Sequence, residues 1–65
     1  MAETPLQVAV RHVAEQEALI AKQWSLVRQL QEAGQPDALA LEILATMQRT
    51  LEIFRQDLER ISRLG

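Results

Sequence analysis

The sequence predicts an all-α protein folded as a two-helix antiparallel hairpin, and three observations carry that prediction. Apolar residues recur at heptad spacing in both halves of the 65-residue chain, and in the second half they alternate steps of three and four. One break, Gly34-Gln35-Pro36-Asp37, separates the two halves. Gly and Pro occur only near the predicted helix ends. Such spacing places apolar side chains along one side of each helix, where a partner helix packs, and a short connection makes the two helices antiparallel neighbours.

The first helix is predicted over residues 5–33. Thr4 can cap its N-terminus, Pro5 suits the first helical position, and Gln7 completes a capping box with Thr4. Gly34 suits the left-handed position that ends many helices. The apolar seam of this helix comprises Leu6, Ala9, Val13, Ile20, Val27 and Leu30.

The turn is predicted over residues 34–37 and the second helix over residues 38–63. Pro36 is a poor helix continuation, and Asp37 is a strong candidate for the N-cap. Arg60 and Arg63 suit the negative end of the helix dipole. The second seam comprises Ala40, Leu44, Met47, Leu51, Phe54, Leu58 and Ile61.

Folding the chain about the turn predicts which residues face each other. In an antiparallel hairpin centred on this turn, facing residues have numbers that sum to roughly 71. Glu17 then falls near Arg55 as a rim ion pair. The apolar pairs predicted by this register are Leu6–Leu64, Val13–Leu58, Ile20–Leu51 and Val27–Leu44.

Size and composition indicate one domain, residues 1–65, that needs a further source of stability. A core of this size gives only a few kcal/mol, and small scaffolds usually add disulfides, a metal or a partner subunit. The chain has no Cys and one His, which leaves oligomerisation. The absence of Cys and of a recognisable targeting signal fits a cytoplasmic location. A net charge of −2 makes nucleic acid an improbable partner, and no apolar run is long enough to span a membrane.

The apolar surface is wider than one seam. A lone hairpin would leave this surplus in contact with water, which monomers usually avoid. We therefore expect two hairpins to pair as a homodimeric four-helix bundle, although a tetramer or a separate protein partner would also cover the surplus. The predicted oligomer or partner contacts are Leu19, Trp24, Leu26, Leu41, Ile43 and Ile53, with Val10 beside them.

Two glutamines, Gln16 and Gln23, occupy seam positions that should be apolar. They could bind a polar ligand or ion inside the bundle. They could instead bond to each other across a dimer and fix its register, or lie at the rim after a slight helix rotation. The sequence favours these last two interpretations.

Candidate chemistry is sparse. His12 and Glu15 share a helix face, but Glu-x-x-His metal sites have the reverse order and need further carboxylates from facing helices. No Ser or Thr has a His placed to activate it, and no Gly-rich phosphate loop is present. We therefore expect no enzymatic activity, no metal and no cofactor.

An arginine stripe on the second helix suggests an alternative function. Arg49, Arg60 and Arg63 lie on its outer side, with Arg55 nearer the seam. Paired in a dimer, the two stripes could contact RNA or DNA phosphates. Acidic residues are interleaved with them, as on an ordinary solvated helix face.

The stretch His12-Val13-Ala14-Glu15-Gln16-Glu17, followed by Ile20, Gln23 and Leu26-Val27, resembles a family of short proteobacterial helical-hairpin proteins with an HVAEGE-like motif. After the break, Ile43-Leu44-Ala45-Thr46-Met47 stands where that family carries a Leu-Leu-Ala-Thr-Leu-like run. Gln16 replaces a frequent Gly, and Gln35-Pro36-Asp37 replaces a His-Asp-Thr-like turn. The resemblance implies a bacterial origin and the hairpin fold, but no activity is established for the family.

Together these features predict a small non-enzymatic protein-interaction or regulatory module that acts as a homo-oligomeric helical bundle. The RNA- or DNA-binding regulator is the alternative.

Overall fold

The protein is a helical hairpin in a computed structural model that describes residues 2–64. Helix α1 spans Pro5–Glu32 and helix α2 spans Ala38–Leu64, and the two pack against each other. The all-helical, two-helix architecture is therefore confirmed. The predicted helices, 5–33 and 38–63, differ from these bounds by one residue at one end of each. The Cα atoms fill a slab of 49 × 22 × 11 Å, so the molecule has two broad faces and little depth.

The N-terminus of α1 is closed by the predicted capping box. The Thr4 hydroxyl accepts a hydrogen bond from the backbone N–H of Gln7 at 3.1 Å. In return, the Gln7 side-chain oxygen accepts one from the backbone N–H of Thr4 at 2.9 Å. Two backbone donors at the helix end are thereby satisfied, which fixes where α1 begins.

The C-terminus of α1 ends on Gly34, which has a φ of 66°. The N–H of Gly34 donates to the Gln31 carbonyl at 3.1 Å, and the N–H of Gln35 donates to the Leu30 carbonyl at 2.9 Å. This pair of bonds is the Schellman motif, and glycine suits it because a left-handed backbone carries no Cβ penalty there.

Asp37 connects the two helices at the turn. Its carbonyl accepts the first hydrogen bond of α2, from the N–H of Leu41 at 2.9 Å. Its carboxylate, predicted to cap α2, accepts a hydrogen bond from the Gln31 side chain at 3.0 Å. The side chain therefore ties the last turn of α1 to the start of α2.

The core is a thin line between the helices. Its buried apolar residues are Ala9, Val27, Ala40, Leu44 and Leu51, all of them predicted seam residues. Most other seam residues are half-buried, and Leu6 at the open end of the hairpin is exposed. A two-helix contact alone thus leaves much of the apolar surface in water.

The predicted register is wrong by one turn or more, although the Glu17–Arg55 ion pair is present at 3.4 Å between long side chains. Gln16, expected opposite Arg55, bonds instead to the carbonyl of Met47. His12, expected opposite Glu59, packs against Phe54. The prediction treated the turn as symmetric. Residues 35–37 are not helical, and non-helical chain can advance roughly 3.3 Å per residue against 1.5 Å in a helix. The non-helical residues therefore carry the chain back past the C-terminal end of α1, and α2 begins opposite an earlier residue of α1 than a symmetric turn would give.

Neither helix combines the length and the apolar content that a bilayer crossing requires, within the part of the chain that the structure describes.

Candidate interaction surface

The Glu17–Arg55 ion pair identifies one broad face of the slab, called here the ion-pair face. Val10 and Trp24 lie seven residues on either side of Glu17. Residues seven apart point in nearly the same direction from a helix, so these three form one line parallel to the axis of α1. Leu41 lies two heptads before Arg55 and shares its line along α2. All five side chains are exposed. The ion pair therefore divides two apolar areas: Trp24 with Leu41 towards the turn, and Val10 towards the open end.

The opposite broad face, called here the leucine face, carries Leu19 and Leu26 from α1 and Ile43 from α2. Leu19 follows Glu17 by two residues and Ile43 follows Leu41 by two, a rotation of about 200° around each helix. That rotation crosses the seam to the other side of the slab. Thr50 lies seven residues after Ile43 and therefore shares its line. Leu39 lies one turn before Ile43, and Ile53 lies one turn after Thr50, so both extend the face at its outer edge.

The six predicted contact residues therefore form two sets. Trp24 and Leu41, 45% and 38% exposed, belong to the ion-pair face. The other four belong to the leucine face: Leu19, Leu26, Ile43 and Ile53. All six are exposed in the single chain. A single partner surface cannot cover both sets, because they lie on opposite sides of a slab 11 Å thick at the Cα atoms.

The two seam glutamines point across the hairpin to backbone carbonyls of α2. The Gln16 side-chain N–H donates to the carbonyl of Met47 at 3.0 Å, and that of Gln23 donates to the carbonyl of Ala40 at 2.9 Å. Gln16 is 9% exposed. Each glutamine thus has a partner within its own chain, an arrangement that residue types and spacing alone did not reveal. Only the correct register places these carbonyls opposite the two side chains.

The candidate metal pair, His12 and Glu15, is engaged in other contacts. The His12 ring is half-buried, with its centroid 5.3 Å from that of Phe54. The Glu15 carboxylate accepts a hydrogen bond from Arg11 at 3.2 Å. Among residues 2–64, no three His, Cys, Asp or Glu side chains come together in a way that could hold a metal ion.

An ion-pair network covers the first turns of α1. Arg11 donates to both carboxylate oxygens of Glu3, at 2.8 and 3.0 Å, as well as to Glu15. The hydrogen bonds from Arg11 hold the pKa of the Glu3 carboxyl below its ordinary value. The same contact raises the pKa of Arg11. These groups are solvent-exposed, so the network marks the helix start without forming an enclosed site.

The arginines of α2 are largely paired with carboxylates. Arg60 bonds to Asp57 and Arg63 bonds to Glu59, each within one turn of the helix. Arg55 pairs across the hairpin with Glu17. Arg49 donates to the Thr46 hydroxyl at 3.4 Å. The stripe predicted for phosphate contacts is therefore mostly charge-neutralised along its length.

The open end of the hairpin has a shallow apolar groove of about 440 Å³. Leu6 from α1 and Ile61 from α2 form its walls, with Thr4, Pro5, Ser62 and Leu64 around them. Leu6 and Leu64, a pair in the predicted register, thus line the same groove.

No protein-family model, curated protein or solved structure matches this chain. The resemblance to the HVAEGE-like hairpin proteins therefore stays a prediction.

Proposed function

We propose that this chain is a small, non-enzymatic protein-interaction module that acts as a homo-oligomeric helical bundle, with two hairpins forming four helices. The observation that carries the proposal is the set of large apolar side chains exposed on both broad faces. Four of them, Leu19, Leu26, Ile43 and Ile53, share one face, and exposed apolar residues grouped in this way are typical of protein interfaces.

The exposed area supports self-association. The chain exposes 5068 Å². A compact monomer of 7.4 kDa would expose about 4,200 Å² by the usual scaling of surface with mass. The surplus, about 900 Å², is close to the roughly 800 Å² that each partner contributes to a standard interface. The surplus follows from the elongated shape of the hairpin, and a second hairpin packed along one broad face would bury an area of that order.

The charges favour a protein partner over nucleic acid. Much of the basic surface is already paired with carboxylates of the same chain, as in the Arg60–Asp57 and Arg63–Glu59 pairs. Phosphate binding would have to break these pairs within a chain of net charge −2. The lack of Cys fits work in a reducing compartment such as the cytoplasm.

Co-purification tests the proposal. Two copies carrying different tags are expressed together in the same bacterial cells, and one tag is purified under conditions that recover known complexes. We expect the second copy to be retained, alone or with another protein. The matched control is Gln56→Lys, which changes an exposed position on the outer side of α2 and should retain the same set. Recovery of another protein without the second copy would contradict the homo-oligomer, and recovery of neither would contradict the interaction module as well.

A gel shift tests the alternative. Nucleic-acid binding through arginines would weaken steeply with salt. We expect no shift of RNA or DNA even at low salt, and a salt-sensitive shift would replace the interaction module with the regulator as the proposed function.

A further inference from the structure

We infer that the leucine face, and not the ion-pair face, binds the second copy of this chain. This inference rests on the proposed homo-oligomer and adds which surface forms it. Three observations carry it: the distribution of charge over the two faces, the pattern of apolar positions beside the seam, and the area that one copy must cover.

Charge separates the two faces. The centre of the ion-pair face is occupied by Glu17 and Arg55, whose side chains are 53% and 56% exposed. A partner on that face would strip water from both ions, and this desolvation can exceed what their attraction returns. On the leucine face, the lines that flank the seam carry Leu19 and Leu26 on α1 and Ile43 and Thr50 on α2. None of these four residues is charged, so burying them removes no ion from water. Towards the open end the same lines continue to His12, which packs against Phe54, and to Asp57.

The remaining charges on the leucine side lie where an interface can leave them wet. Glu15 and Lys22 are on the outer edge of α1, and both are exposed. Long side chains at such edges keep their charged ends in water while their stems cover apolar surface. Asp57 lies towards the open end and is paired with Arg60. The uncharged centre of the face therefore runs from the turn as far as Leu19 and Thr50, with Ile53 at its outer edge.

The apolar pattern points to the same face. Helices of a four-helix bundle carry two seam positions and one flanking position per heptad. On α1, the line through Leu19 and Leu26 runs from His12 to Ala33 and is apolar over its last three positions. The line through Trp24 alternates between apolar and polar residues: Val10, Glu17, Trp24 and Gln31. Extending the seam towards the leucine face thus gives each hairpin one wide apolar surface. A second copy presents the same surface, and a two-fold dimer requires such self-complementarity.

The exposed area is compatible with one partner. The surplus of about 900 Å² is enough for one partner on one face, because a standard interface takes roughly 800 Å² from each side. Occupation of the leucine face by one copy leaves Trp24 and Leu41 exposed on the other side. The inference is therefore a dimer, with the ion-pair face outside the dimer contact.

Two leucines near the turn provide a matched test. Leu26 lies on the leucine face and Leu41 on the ion-pair face, 43% and 38% exposed. Leu26→Lys and Leu41→Lys are compared with the unchanged chain by light scattering at several concentrations, with helix content followed by circular dichroism. We expect Leu26→Lys to weaken dimerisation by at least tenfold and Leu41→Lys to leave the dissociation constant within about threefold. The opposite ranking, or equal weakening by both, would overturn the assignment of the face while leaving self-association intact.

Cross-linking gives a second readout that does not depend on a destabilising charge. The chain has no natural Cys, so a single introduced thiol reports only its own position. Leu19→Cys should form a cross-linked dimer with a short bifunctional maleimide, and Trp24→Cys should not. Efficient cross-linking through position 24 alone would place the second copy on the ion-pair face. A chain that is monomeric in every assay would overturn the inference, and the co-purification of another protein would then still support an interaction module.

Discussion

Gln16 is the residue whose replacement tests the packing of the hairpin most sharply. Its side chain is 9% exposed and donates a hydrogen bond to the Met47 carbonyl at 3.0 Å. Gln16→Glu preserves the size of the side chain but, once ionised, removes the donor and places a negative charge against a carbonyl oxygen. The substitution therefore changes the chemistry of one buried contact with little change in volume.

The cost follows from two contributions. Loss of the hydrogen bond costs about 1 kcal/mol, and a buried charged group left without a donor costs about 1–3 kcal/mol more. We expect the free energy of unfolding at pH 7 to fall by about 2–4 kcal/mol. A core of this size supplies only a few kcal/mol in total. At about 4–8 °C per kcal/mol, the melting temperature should fall by at least about 8 °C.

The sign of the pH dependence follows from burial. The folded state should raise the pKa of the introduced carboxyl, because burial disfavours the charged form. With a raised pKa, the loss of folding stability is absent below the unfolded-state pKa, near 4.3. It grows as the pH rises from there towards the folded-state pKa. The protonated carboxyl can also donate to the Met47 carbonyl. The variant should therefore approach the stability of the unchanged chain as the pH falls to about 4.

Thermal unfolding by circular dichroism, at one protein concentration and several pH values, measures the effect. Gln56→Glu is the matched control, because Gln56 is exposed on α2, and its change should stay within about 0.5 kcal/mol. Gln16→Leu separates loss of the donor from ionisation. Within α2 the Met47 carbonyl also accepts the helical bond from residue 51, so leucine should leave stability unchanged or higher. Equal losses in Gln16→Glu and Gln56→Glu, with no relief at low pH, would refute the buried donor.

Three further predictions concern the ends of α1. Thr4→Ala should lower the free energy of unfolding by about 1 kcal/mol, because it removes the capping bond to Gln7, whereas Thr4→Ser should retain that bond. Amide exchange in the first turn of α1 should be faster in the alanine variant only. Equal exchange rates in both variants would count against the cap. Gly34→Ala should lower the free energy of unfolding by about 1–2 kcal/mol through its left-handed backbone alone, since a Cβ there meets nothing within 4 Å. Chemical denaturation measures this loss, and Gly34→Asn should lose less stability. An alanine variant as stable as the unchanged chain would contradict the backbone strain. Arg11→Gln should raise the Glu3 pKa towards its ordinary value, followed by carboxyl NMR titration. Stability from this pair is present above the ordinary Glu pKa and lost as the pH falls through the lowered value. An unmoved Glu3 pKa would rule out Arg11 as its cause.

Local sequence signals predicted the helices well, because their causes are local. The capping box at Thr4 and the left-handed Gly34 each depend on a few neighbouring residues, and both are present. Heptad spacing identified the buried line that includes Val27 and Leu51. These features need no knowledge of how the two helices are placed.

The register and the glutamine contacts were missed because they depend on the path of the turn. Residues 35–37 are not helical, and their advance along α1 is not encoded by heptad spacing. The path of the turn decides which backbone carbonyl of α2 lies opposite each glutamine. The bond from Gln23 to the Ala40 carbonyl therefore could not be predicted from the residue type alone. The Glu17–Arg55 pair itself was predicted, and in the structure this contact shows which apolar residues of the two helices share a face.

The solution mass of the unchanged chain, measured by light scattering over a concentration series, tests the central claim most directly. A self-associating leucine face predicts a species of twice the 7.4 kDa chain mass that dissociates only on dilution. A mass of one chain at every concentration, up to the highest that stays in solution, would contradict self-association through either face.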